Sequence, residues 1–258
     1  MKVWGAHRDT LTNVSERLRL YLGAQLRRRL FLVTNKLMKI AITGTSRGIG
    51  LELTRQALQR GDTVIAIARK PESSKGLVEL KSEFSEKLQL LAVDVAAEDA
   101  PQKIAEVVGK DLDLLINNAG IFLDGESASD FMQSFQVNSV APFLLTKALL
   151  PALQNSSQPK VIQITSKMGS IDDNDSGGYY AYRASKTALN MINKSLSADN
   201  PWLTTIVIHP GWVKTDMGGQ SAPTLPERSA KGIWDVALNL KSAQTGMFFE
   251  FTGKEIAW

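Results

Sequence analysis

The sequence predicts one α/β domain built on a parallel sheet with helices on both faces. Three observations carry this. From Lys39 onward, short apolar runs alternate with helical stretches, the pattern of strand–helix–strand units joined by right-handed crossovers. The runs are continuously apolar rather than alternating, which suits strands buried on both faces. A glycine-rich turn, Gly44-Thr45-Ser46-Arg47-Gly48-Ile49-Gly50, links the first run to the first helical stretch. Strand, glycine turn and helix in that order form the phosphate-binding start of a dinucleotide site.

The first strand is expected over Lys39–Thr43 and the first helix over Leu51–Gln59. The glycines between them permit a tight turn and close backbone approach to a pyrophosphate, and the helix N-terminus adds free N–H groups and a positive dipole end. Their spacing is Gly-x3-Gly-x-Gly. The next strands are expected over Thr63–Ala68, Leu88–Val93, Leu112–Asn117, Lys160–Thr165, Thr204–His209 and Met247–Phe251. The most polar long loops, Ser170–Gly178 and Asp216–Arg228, should lie outside the C-terminal strand ends, where such sheets bind ligands.

Ahead of this pattern, Leu11, Val14, Leu18, Leu22, Leu26, Leu30 and Val33 recur at helical spacing, and Asn13 with Glu16 matches a capping box. The spacing predicts a basic amphipathic helix over residues 14–33. It could lie on an anionic membrane surface, pack on the domain or serve as a targeting segment. The alternative is that translation starts at Met38 and residues 1–37 are no part of the core. The domain division is therefore 1–37, a basic extension, and 38–258, the dinucleotide-binding catalytic domain.

Composition narrows the function. The 258 residues are 43% hydrophobic and 22% charged, ordinary for a globular protein. There is no cysteine, which excludes disulfides, thiol nucleophiles and cysteine-ligated zinc. The two histidines are His7 and His209, so a histidine-rich metal site is not expected. His209, at the end of an apolar strand, reads as a hydrogen-bonded structural residue. The acidic stretch Asp172–Asp175 lacks the rest of a calcium loop and reads as solvated. No metal is expected. No run of about 20 apolar residues marks a membrane span. Residues 1–37 carry +6 of a total of +4, leaving −2 on the remainder, so the main domain gives no support for nucleic-acid binding.

Tyr182 and Lys186 are four residues apart and share a helix face. Free tyrosine titrates near 10, and an adjacent ammonium favours phenolate. The pair is a candidate acid/base device. Tyr179 has Arg183 at that spacing and Tyr180 has Ala184; only Tyr182 has the lysine.

Together these segments resemble the short-chain dehydrogenase/reductase family. Further marks are Asn117-Asn118-Ala119-Gly120 after the fourth strand, Asn138 in the next helix, Ser166 after the fifth strand and Pro210-Gly211 after the sixth. Within the family, Gly177-Gly178-Tyr179-Tyr180-Ala181-Tyr182-Arg183 resembles carbonyl reductases of the Sniffer type and bacterial C-factor-like proteins. The resemblance implies a Rossmann-like sheet of seven strands in the order 3-2-1-4-5-6-7. It implies that Tyr182 is the proton donor in carbonyl reduction, and that Lys186 lowers its pKa and bonds the nicotinamide ribose. Ser166 would donate to the substrate oxygen, and Asn138 would help hold the lysine and a proton-relaying water. Thr165 and Ser170 compete for the serine role, but the pattern Ile164-Thr165-Ser166 with Gly169 aligns Ser166 with the family's serine.

The resemblance also implies cofactor contacts by Gly44, Ser46, Arg47, Gly48, Ile49 and Gly50 in the turn. Asp94 and Val95 would meet the adenine, Asn118, Ala119 and Gly120 would form the turn after the fourth strand, and Pro210, Gly211, Val213 and Thr215 the nicotinamide loop. The second strand ends Ile67-Ala68-Arg69-Lys70, without the carboxylate that bonds a ribose 2′-OH in NAD-selective members. Arg69 and Arg47 could instead face a 2′-phosphate. NADP(H) is therefore the expected cofactor and NAD(H) the lesser alternative. The expected activity is hydride transfer between NADP(H) and an aldehyde or ketone. The alternative is a nucleotide-binding signalling or regulatory protein of the C-factor type. A small-molecule carbonyl substrate, a homo-oligomer and a cytoplasmic location are expected; membrane-surface contact by residues 1–37 is disfavoured.

Overall fold

The computed structural model describes residues 37–258, and the helix expected over 14–33 lies outside the described residues. Strands β1 (Lys39–Thr43), β2 (Thr63–Ala68), β3 (Leu88–Ala92), β4 (Leu114–Asn117), β5 (Lys160–Ile164), β6 (Thr204–His209) and β7 (Phe248–Glu250) form one parallel sheet in the order β3-β2-β1-β4-β5-β6-β7. This is the expected Rossmann-like arrangement. Its helices are α1 (Gly48–Arg60), α2 (Lys75–Glu83), α3 (Ala100–Val108), α4 (Ala128–Phe135), α5 (Ala141–Leu153), α6 (Tyr180–Asp199) and α7 (Pro226–Asn239).

Strand alternation divides the core between two faces. Ile40, Ile42, Val64 and Ala66 join Leu53 and Leu58 of α1, Leu77 of α2, and Ile233 and Trp234 of α7. Ala41, Ile65, Ile67, Leu115 and Val161 join Ile104 of α3 and Leu149 and Leu153 of α5. Each strand is thus apolar on both sides, which is why its sequence run does not alternate.

Several strands are shorter than their apolar runs. Leu112 is buried, but its N–H donates to the Ala152 carbonyl of α5 at 3.2 Å. Burial made the residue apolar without making it a strand residue. Helix α1 begins earlier than expected, inside the glycine turn at Gly48, and stops at Gly61, whose φ of 100° ends it with a left-handed cap.

Strand order reverses direction around β1 and β4, the switch point at which such sheets open a crevice. The glycine turn leaves β1 there, Asn118–Gly120 leaves β4, Ser166 leaves β5 and Pro210 leaves β6. Among the described residues, no helix is long and apolar enough to cross a membrane.

Candidate active site

The glycine turn and the turn after β4 are fastened together. The Thr43 hydroxyl accepts from the N–H groups of Asn118 and Ala119, each at 3.0 Å. The Asn118 amide donates to the carbonyls of Thr43 at 2.9 Å and Gly44 at 3.1 Å. So close an approach demands small residues. A Cβ on Gly50 would lie 2.3 Å from the Gly44 carbonyl oxygen, and one on Gly44, whose φ is 70°, would lie 2.8 Å from the Ala119 Cα. Arg47 takes an extended conformation at the N-cap of α1, with no side-chain cap and no acidic residue in the first turn. The leading N–H groups of α1 therefore lack the side-chain acceptor that usually serves them.

This helix end lines a cleft of about 740 Å³. Of the expected cofactor residues, Gly44, Ser46, Arg47, Gly48, Ile49, Gly50, Arg69, Asp94, Val95, Asn118, Ala119, Gly120, Tyr182, Lys186, Pro210 and Thr215 all line it. Gly211 and Val213 do not. Gly211 sits against the Phe251 ring, which a Cβ would meet at 2.8 Å. Val213 is buried and bridges to Thr224. These two shape the loop from behind. Asp94 uses a carboxylate oxygen to accept from Ala96 N–H at 3.0 Å. Arg47 reaches across the cleft mouth to Asp216, Nη1 to Oδ2 at 3.0 Å, with both side chains more than two-thirds exposed at 74% and 71%. An uncapped helix start, glycines under steric limit and basic residues on the rim form a donor set that fits a nicotinamide dinucleotide.

Helix α6 brings Tyr182 and Lys186 into the same cleft. Tyr182 is only 7% exposed and Lys186 5%. The lysine Nζ donates to the Ile164 carbonyl at 3.0 Å and lies 5.9 Å from the centre of the Tyr182 ring. Three hydroxyls competed for the serine role, and their bonding separates them. Thr165 donates to the Asn190 amide oxygen at 2.7 Å, and Ser170 donates to the Ala257 carbonyl at 2.8 Å. Ser166 accepts from the Met168 N–H at 3.1 Å and lies near enough to the Tyr182 phenol to pull its pKa down.

Asn138 is fully buried within a π-helical turn, Gln136–Val140, between α4 and α5. Such turns commonly mark functional positions. Its oxygen accepts from Ile121 N–H at 2.9 Å, and its amide donates to the Ile121 carbonyl at 2.9 Å and to the Ser185 hydroxyl at 3.0 Å. Asn138 thus clamps the chain beyond Gly120, and its hold on the lysine region runs through Ser185 and the Gly120 turn rather than by a bond to Lys186.

The electrostatics differ from the simple expectation for a Tyr–Lys pair. Burial pushes the Tyr182 phenol above its usual value, with the Ser166 hydroxyl pulling the other way. Burial pushes Lys186 down to about 8. Desolvation disfavours both charged forms and is the largest cause of each shift. His209 also departs from expectation. Its Nδ1 is buried without a hydrogen-bond partner, and burial lowers its pKa to about 4, keeping the ring neutral.

Sequence reading missed Thr43, Phe122 and Asp216. A hydroxyl at the end of β1 was the available signal for Thr43; the other two carry none, because their partners are distant in the chain.

The family model described as short chain dehydrogenase matches residues 38–225. The chain is 40% identical over 154 residues to the protein named C-signal of Myxococcus xanthus, covering 57% of this chain and 93% of that protein. Among solved structures it is similar to the carbonyl reductase Sniffer of D. melanogaster, at 36% identity and a TM-score of 0.81, covering 86% of this chain and 100% of that one. It is also similar to an NADPH-bound carbonyl reductase from chicken fatty liver, at 32% identity and a TM-score of 0.79, covering 87% and 100%.

Proposed function

The chain belongs to the short-chain dehydrogenase/reductase family, and from that premise we propose that it is an NADP(H)-dependent reductase of an aldehyde or ketone. The observation that carries this is the placement of Tyr182 and Lys186 in the wall of the cleft that the uncapped α1 terminus also lines. Solved relatives named as carbonyl reductases, one of them NADPH-bound, support it.

A nicotinamide bound in the cleft would supply the hydride. As hydride reaches a carbonyl carbon, negative charge grows on the oxygen. Tyr182, kept protonated by burial, donates its phenolic proton to that oxygen, and Ser166 adds a hydrogen bond to it. Lys186 would hold the ribose of the bound cofactor. Asn138 keeps the Ile121 backbone in place behind the site. The direct test is NADPH consumption against a panel of carbonyls, with NADH in parallel; no turnover of any carbonyl would refute the reading.

For the coenzyme, Arg69 and Arg47 on the cleft rim are proposed to face the 2′-phosphate. Arg69→Asp removes a cationic fork and adds a repelling carboxylate. The NADPH-to-NADH affinity ratio should fall by about tenfold, and less at high salt. Arg47→Ala should act in the same direction but more weakly, because Asp216 already competes for that guanidinium. An unchanged ratio in Arg69→Asp would remove the phosphate-clamp assignment and leave the family assignment standing.

The domain reading proposes residues 38–258 as the catalytic unit. A chain beginning at Met38 should stay soluble and keep its NADPH affinity, since the first sheet strand starts at Lys39 and the glycine turn lies beyond it. Titration of NADPH fluorescence on both chains checks this, and insolubility or lost affinity of the shorter one would make residues 1–37 structural. The reading also places the protein in the cytoplasm as a homo-oligomer, to be checked by fractionation and light scattering.

The similarity to C-signal favours one second reading, a nucleotide-binding signalling protein. Its mark would be a Tyr182→Phe variant with no turnover but undiminished biological effect.

A further inference from the structure

Tyr179 is the single non-glycine residue with positive φ among the described residues, at φ 51° and ψ 40°. It follows Gly177 at φ 65° and Gly178 at φ 68°, so three positive-φ residues in succession lead into α6. The first two are glycines, for which this conformation is free. For a tyrosine it is disfavoured, and such strain persists only where the surroundings enforce it.

The ordinary compensations are absent. Tyr179 is 47% exposed, so burial does not account for it. It occupies the N-cap of α6 and makes no side-chain capping bond, where Asn, Asp or Ser would. Arg183 enforces the turn from below. Its guanidinium donates to the Gly178 carbonyl at 3.2 Å, the Met168 carbonyl at 3.4 Å and the Ser176 hydroxyl at 2.9 Å. What the tyrosine adds is a ring. It lies 5.4 Å from the Phe122 ring, and Phe122 in turn meets the Tyr182 ring edge-on at 4.9 Å and 66°. The chain leading into Phe122 is fixed, because Asn138 clamps both the N–H and the carbonyl of the preceding Ile121.

We propose that Tyr179 is a positioning residue for Tyr182, acting through Phe122. The strained turn sets its ring against Phe122, and the two rings confine the phenol and screen it from water. This rests on Tyr182 being the proton donor, as argued above. An asparagine at 179 would suit the backbone and the cap better but would supply no brace. The tyrosine there sacrifices local stability for a fixed phenol.

The test uses Tyr179→Asn and Tyr179→Phe in the full chain, with benzaldehyde and NADPH as substrates. Asparagine tolerates the left-handed region, so Tyr179→Asn should melt no lower than the parent. Its kcat should nevertheless fall roughly tenfold, as for other misplaced catalytic groups, with KM for NADPH unchanged. Tyr179→Phe keeps the ring and should match the parent. A second readout needs no turnover. In protein carrying ¹³C-labelled tyrosine, the Tyr182 signal is identified by its loss in Tyr182→Phe. Its titration should move down toward the ordinary value of about 10 in Tyr179→Asn and stay elevated in Tyr179→Phe. The proposal is overturned by parent-like kcat and titration in Tyr179→Asn, by a kcat loss that merely follows a lowered melting temperature, or by equal damage in Tyr179→Phe. A parent chain that reduces no carbonyl would sink the reductase reading alone, and the titration would still decide for or against the brace.

Discussion

Tyr182→Phe should lower carbonyl reduction by about 10² to 10⁴-fold, the usual consequence of losing one acid/base group, and leave NADPH binding close to that of the parent. The substitution removes one oxygen and keeps the ring. The edge contact with Phe122 at 4.9 Å survives, and so does the position of α6, so the cleft should keep its shape. What disappears is the proton at the carbonyl oxygen and the phenol's interaction with Ser166. Burial holds the phenol above its usual value, so the parent's donor should remain protonated across the neutral range rather than fail at mildly alkaline pH. Steady-state rates with NADPH and a fluorescence titration of the cofactor check both halves. A variant with full activity would remove Tyr182 from the mechanism.

Lys186→Met should abolish most turnover and weaken NADPH binding, yet leave the fold at least as stable at pH 7. Burial holds the ammonium at about 8, below its ordinary value. The folded chain therefore binds fewer protons than the unfolded chain between about pH 8 and 10.5, and the stability of the parent rises with pH through that window. Below it, the buried ammonium opposes folding by on the order of 3 kcal/mol. Methionine has similar length and no charge. The gain is reduced because the Ile164 carbonyl loses the donor it has at 3.0 Å. Denaturant melts of both chains at pH 7 and pH 10 give the test. The parent should be more stable at the higher pH than at the lower with respect to this group, and the variant should lack that increment. Unaltered NADPH affinity in Lys186→Met would contradict the ribose contact, and a large loss of stability at pH 7 would contradict the burial argument.

The sequence by itself determined the parts of this protein whose causes are local. Seven apolar runs marked seven strands, because a strand buried on both faces has no polar side to display. The glycines of 44–50 marked the turn, because a Cβ at Gly50 would lie only 2.3 Å from the Gly44 carbonyl oxygen. Tyr182 and Lys186 were legible as a pair, because four residues make one helix face. Leu112 already shows the limit: its apolarity was visible, but its bond to Ala152 rather than to the sheet was not.

Tertiary structure decided everything that depends on which distant groups meet. It placed Asn138 on Ile121 and Ser185, Thr43 beneath the Asn118 turn, Asp216 on Arg47, and Phe122 between Tyr179 and Tyr182. It gave the Thr165 and Ser170 hydroxyls partners of their own, the Asn190 amide oxygen and the Ala257 carbonyl. It also buried both members of the Tyr–Lys pair, and burial pushes each toward its neutral form. Spacing along a helix reports only proximity, and proximity alone favours the ion pair. Whether water reaches the two groups is set by the strands, the Asn118 turn and Phe122 packed around them. In that setting each charged form is desolvated, and burial is the first cause of both shifts.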